Sequence, residues 1–177
     1  MIRGLSACLA VAFCTACSGD SMTSPTTSEG RTADAALFTR VTESDPFRSY
    51  APFPNLPGNA SGILSGSSAH VPRIRVSMNA LAMSVLRNGR LPSGATFPDG
   101  AVVFKEVLAD NGETSVYAVM VKDRGNALAE NGWLWAEYRP DGETVFGLAN
   151  RGNACTGCHA LDQGSLNDFV RSFERQP

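Results

Sequence analysis

The chain has 177 residues, enough for one ordinary domain with some extra chain but too few for two full ones. Fifteen Lys and Arg against seventeen Asp and Glu leave a net charge of -2 with no block of like charge, which removes the basis for a nucleic-acid-binding surface. A hydrophobic fraction of 43% with nine Phe, two Trp and three Tyr is enough to build a core, and five cysteines, an odd number, cannot close into a complete disulfide set.

Arg3 precedes an apolar run of nine residues, Leu5 to Phe13. That run is far short of the roughly 20 residues that cross a bilayer, and it reads as the core of a secretory signal peptide. Cys14-Thr15-Ala16-Cys17, followed by Ser18-Gly19-Asp20, resembles a bacterial lipobox. Residues 1–16 are then the signal peptide and Cys17 becomes the lipidated N-terminus. Cys14 stands where a lipobox usually has Leu, so cleavage after Ala16 without lipidation is the alternative. Either route exports the protein; the first leaves it periplasmic and held to a membrane by lipid rather than by a spanning helix.

Residues 17–45 open with a run rich in Ser, Thr, Gly and Asp and are expected to be a flexible tether, with the folded domain over 46–177. From Phe47 to Gly66, prolines and glycines break up an irregular segment anchored by Phe47, Tyr50, Phe53 and Leu56. Ile74-Arg75-Val76 reads as a short strand. Met78, Leu81, Ala82, Val85 and Leu86 then make a helical stripe that Ser77 or Asn79 can cap. Ala101–Leu108 and Ser115–Lys122 form two β-rich runs around the hairpin signal Asp110-Asn111-Gly112. Trp133–Tyr138 and Thr144–Phe146 flank a second turn at Pro140-Asp141-Gly142. Leu166, Phe169, Val170 and Phe173 suggest a last helix capped by Ser165. The pattern is α+β, a predominantly antiparallel β-sheet with a few packed helices.

Cys155-Thr156-Gly157-Cys158-His159 is the attachment signature of a c-type haem. Two thiols at this spacing on one helical turn reach both porphyrin vinyl groups, and the histidine falls beneath the iron. The alternatives are a redox CxxC, which lacks its βαβ context here, and half of a zinc site, for which only Cys17 and His70 remain as further ligands. One covalent haem c per chain is the reading carried forward. None of the 18 residues after His159 is Met, His or Lys. His70, in a segment rich in Pro, Gly and Ser, reads as an exposed residue, and Met120 reads as core. The iron is therefore expected to have five ligands and an open distal side suited to small molecules such as nitric oxide or hydroxylamine.

Alternation along 101–108 sets Lys105 on one face with Val103 and Val107, and Phe104 and Glu106 on the other. Lys105 is either a desolvated, nucleophilic amine or an edge-strand lysine that discourages aggregation, and composition alone favours the latter.

Taken together, Ile74-Arg75-Val76, the block Phe97 to Glu106, Met120 to Arg124, Gly132-Trp133, and Cys155 to His159 followed by Asp168-Phe169-Val170 resemble the cytochrome P-460 family. The resemblance implies a mostly β homodimer with haem attached through Cys155 and Cys158 and ligated by His159. It also implies a third link from Lys105 to a porphyrin meso carbon, Arg75 in the distal pocket, oxidation of hydroxylamine to nitrogen oxides, and an electron-transfer partner. Related cytochromes c-prime-beta lack the lysine link, cap the iron with aromatic side chains and bind nitric oxide or carbon monoxide. Phe97 and Phe146 are the caps available here. A membrane-tethered electron carrier is a third reading and needs a sixth iron ligand. Turnover needs a distal base; Glu137 is a candidate, whereas Glu106 lies on the face away from Lys105.

Overall fold

The computed structural model describes residues 27–56, 58, 60–61 and 69–177. The signal segment and Cys17 lie outside these. Among the described residues no helix is long and apolar enough to cross a membrane.

The first element is a helix, α1 (Thr27–Thr39), continued by a wider turn over Arg40–Ser44. This corrects the expected tether where it falls within 27–45; residues 17–26 lie outside the described residues. Leu37 and Val41 are buried against the sheet. Asp34 is buried too: its Oδ1 accepts from the Leu148 amide at 2.7 Å, and its backbone carbonyl accepts from the Tyr138 hydroxyl at 3.1 Å. The polar composition hid a segment whose Ala33, Leu37, Phe38 and Val41 pack into the core beneath the sheet, while Ala35 and Ala36 stay exposed.

Strands β1 (Ala51–Pro52), β2 (Ala60–Ser61), β3 (Arg73–Met78), β4 (Val102–Leu108), β5 (Thr114–Lys122), β6 (Trp133–Tyr138) and β7 (Thr144–Phe146) form one antiparallel sheet. Its order is β1-β3-β4-β5-β6-β7, with β2 also paired to β3. The fold is α+β. The β4–β5 hairpin turns where Gly112 has φ 86°, a conformation that favours glycine. Lys105 pairs with Val76 on one side and Ala118 on the other. It therefore lies in the middle of the sheet, and the edge-strand reading is withdrawn.

Strand alternation separates two apolar clusters. One face carries Val76, Val103, Met120 and Trp135; the other carries Val102, Phe104, Val119, Val121, Leu134 and Tyr138 beneath α1.

The first predicted helix is shorter than its apolar stripe. Met78 belongs to β3, and α2 covers only Ala80–Ser84, capped by Asn79, whose Oδ1 accepts from the amides of Ala82 and Val102 at 3.0 Å each. The last predicted helix splits into 3-10 turns at Ser165–Asn167 and Arg171–Arg175, because Asp168 (φ 50°) and Phe169 (φ 66°) adopt left-handed conformations. Tertiary bonds outcompete the helix there. Asp168 is buried, forms an ion pair with Lys122 at 2.7 Å and accepts from the Phe97 amide at 2.8 Å, while its carbonyl takes the Trp133 indole proton at 2.9 Å.

Candidate functional site

Cys155 precedes the single turn α3 (Thr156–His159), which carries Cys158 and His159. The chain reaches it through Gly152 (φ 67°), where a Cβ would stand 2.5 Å from Trp135 Cδ1. Only a residue without a side chain passes so close to that indole. Both thiols are free. Burial pushes the Cys155 thiol up to about 11. The carbonyl of Phe169 accepts a hydrogen bond from His159 Nδ1 at 2.7 Å. A carbonyl only accepts, so Nδ1 holds the ring proton and Nε2 is left as a bare donor for a metal. Burial, reinforced by the positive charge of Lys105, lowers the His159 pKa to about 3 and keeps the ring neutral, as a ligand must be. The Trp135 ring meets the imidazole edge-on at 4.9 Å.

These groups border a cavity of about 240 Å³, just under the range of about 300–1,000 Å³ usual for cofactor sites. Val103, Met120, Trp135, Phe146 and Val170 supply its apolar wall. The fit to a haem rests on chemistry visible in the chain: two free thiols and a tautomerically fixed imidazole at an apolar cavity. Cys155 and Cys158 would hold the porphyrin and His159 Nε2 the iron.

One row of the sheet brings in the polar groups. Lys105 on β4, Ala118 on β5 and Glu137 on β6 are successive Cα partners. Two strand spacings separate the outer pair by about 9.5 Å, and the small Ala118 leaves the space above it open. His70 fills the gap: Nε2 lies 2.9 Å from Glu137 Oε1, and Nδ1 lies 3.1 Å from Lys105 Nζ. Burial is the main cause lowering the Lys105 pKa to about 8, with Arg175 adding like-charge repulsion. The charge on Lys105 and burial likewise lower that of His70.

Lys105, Cys155, Cys158 and His159 thus share one cavity, and Glu137 joins them. Arg75 does not. It sits on the opposite face, half exposed, in an ion pair with Glu106 at 3.0 Å, because it is the Cα partner of Glu106 and alternates with Val76. The distal-pocket assignment of Arg75 is corrected accordingly. Phe104 also faces away, stacked on Phe47 at 4.1 Å. Phe146 borders the cavity, whereas Phe97 is spent on packing against Trp133 and Phe173. His70, expected to be exposed, is instead half-buried in the site. Sequence reasoning also missed Arg171, which donates to the Cys158 carbonyl at 3.1 Å and sulfur at 3.3 Å while pairing with Asp162 and Glu174. The scarcity of histidine, two in the chain, was the one available signal for His70; Arg171 gave none.

The family model Cytochrome P460 matches residues 68–171, more than half of the chain, including Lys105, Glu137, Cys155, Cys158 and His159. The chain belongs to the cytochrome P460 family. It is therefore a haem protein of the c type. No curated protein matches it. The P460 match begins just before His70 and ends at Arg171, so it takes in the cavity lining up to Arg171, with Ser172 just beyond its end.

Proposed function

We propose that this P460-family protein is an exported cytochrome that carries one covalent haem c and oxidises hydroxylamine to nitrogen oxides, passing the electrons to a partner protein. Cys155 and Cys158 hold the haem through their sulfurs, His159 Nε2 ligates the iron, and Lys105 makes the third link. The haem supplies the binding position for the substrate nitrogen and the first acceptor for its electrons.

The chain's own residues supply proton transfer and exclusion of water. The carboxylate of Glu137 is the proton acceptor within the cavity, and Val103, Met120, Trp135 and Phe146 keep bulk water from competing with it. Both ring nitrogens of His70 are engaged, by Glu137 and Lys105, which argues against His70 as a sixth iron ligand and so against a simple electron carrier. The observation that carries the reading is the carboxylate–imidazole–amine set in a largely apolar cavity shared with Cys155, Cys158 and His159. Reversible nitric oxide binding releases no proton and needs no such set; dehydrogenating hydroxylamine does.

Purified holoprotein mixed with hydroxylamine and an electron acceptor should turn over, and Glu137→Gln should lower kcat by on the order of 10² to 10⁴. Nitric oxide binding without turnover would sink the enzyme reading and leave a nitric oxide-binding protein. Labelled lipid incorporated in cells and lost with Cys17→Ala is the expected mark of the anchored periplasmic form. Sedimentation of the holoprotein as a homodimer tests the assembly.

A further inference from the structure

Lys105, Glu137 and His70 come from β4, from β6 and from the segment before β3, and meet in one line. Because a carboxylate only accepts, His70 Nε2 carries the hydrogen given to Glu137 at 2.9 Å. That leaves Nδ1 as a bare acceptor facing Lys105 Nζ at 3.1 Å. Carboxylate, imidazole and nucleophile stand in the order of a hydrolytic triad, with an amine where a hydroxyl or thiol usually sits. The backbone of His70 is held at φ 60°, in the left-handed region that a non-glycine residue occupies at a cost.

We infer that Glu137, His70 and Lys105 form an amine-activating triad, in which His70 takes the proton of Lys105 and readies its nitrogen to bond the edge carbon of the bound porphyrin. The inference rests on the Lys105–haem link proposed above and names the base that makes it. An ammonium has no lone pair with which to attack, and near neutral pH water is a weak base for removing its proton. His70 is the acceptor within reach, and Glu137 stabilises the imidazolium that results. From the neutral amine, a bond forms between Lys105 Nζ and the porphyrin carbon. One N–H and one C–H bond are lost as two protons and two electrons, and these reduce one hydrogen peroxide to two waters. The other charged or titratable groups facing Lys105 are Arg175, Arg171, Cys155, Cys158 and His159. Arg175 opposes the ammonium form and Glu137 favours it.

Holoprotein produced without oxygen, treated with hydrogen peroxide and digested, tests this by mass spectrometry. The readout is the rate at which the Cys155–Cys158 haem peptide acquires the Lys105 peptide. Wild type should link. His70→Ala should link on the order of tenfold more slowly near neutral pH and recover to within about twofold of wild type near pH 10, where solvent deprotonates the amine. Where the alanine variant fails to retain haem, His70→Gln keeps a hydrogen-bonding side chain that cannot take a proton, and the same slowing is expected. His70 variants that link at the wild-type rate, or that are slowed equally at both pH values, overturn the triad alone. Wild type with haem on its cysteines and Lys105 unlinked overturns the triad and the link together, and leaves the haem site standing.

Discussion

Phe104 and Lys105 are neighbours on β4, yet they belong to different halves of the molecule. Phe104 turns to the face under α1, where its ring stacks on Phe47 at 4.1 Å and meets Tyr117 at 5.1 Å. Lys105 turns to the face where Ala118 leaves room and where His70, Glu137 and the two cysteines gather. The chain fills the first face with its own side chains, including a helix from a segment that composition marks as a tether. It leaves the second face with a cavity for something the chain does not encode. Period-two alternation makes both from the same strands, so packing and chemistry are assigned residue by residue rather than element by element.

The largest effect expected from this contrast is on haem retention. Cys155→Ala combined with Cys158→Ala should abolish haem that survives denaturation, as read by haem staining of a denaturing gel, while Phe104→Ala should retain it in full. Stability should respond on both faces. Phe104→Ala should cost about 3–5 kcal/mol through the cavity it leaves in the face under α1. Asp168→Ala should cost a similar amount, about 3–5 kcal/mol, by stranding the buried Lys122 ammonium. The two separate spectroscopically: only Asp168→Ala should shift the iron–histidine band, because Phe169, whose carbonyl holds His159, follows directly. An unchanged band in that variant would break the connection between the Lys122–Asp168 pair and the site.

A smaller effect is pH dependence on the site face. His159 titrates near about 3 in the fold against 6.5 when unfolded. Between those values the unfolded chain binds a proton that the folded chain refuses, so stability of the haem-free protein is fully present above about pH 6.5 and is lost as pH falls toward 3. His70, also lowered, acts in the same direction. His159→Gln should flatten that slope, as followed by denaturant titration across the window. The smallest effect belongs to Arg75. Its half-exposed pair with Glu106 is worth about 0–1 kcal/mol, and Arg75→Ala should leave hydroxylamine turnover within error of wild type. A large loss of turnover would return Arg75 to the chemistry.

Much of this was legible in the sequence because it depends on short-range rules. Trp133–Tyr138 and Thr144–Phe146 coincide with β6 and β7, and the two long strands agree within a residue, since β-branched runs between turn residues leave little choice. The split of the last predicted helix was not legible. The stripe Leu166, Phe169, Val170 and Phe173 fits a helix, and only the partners Lys122, Phe97 and Trp133, at least thirty-five residues away, pull Asp168 out of it. Arg75 was misplaced because alternation gives which residues share a face but not which face meets the cavity.

Local chemistry in the chain therefore determined the α+β class, the central strands, the Cys155-Thr156-Gly157-Cys158-His159 motif and the odd charge at Lys105. The tertiary structure alone decided that Lys105 is central rather than at an edge, that His70 bridges it to Glu137, that Arg75 lies behind the sheet, and that Asp168 is buried against Lys122. The reason is physical: spacing and propensity act over a few residues, whereas burial and hydrogen-bond partnership are set by segments that meet only after the sheet has formed.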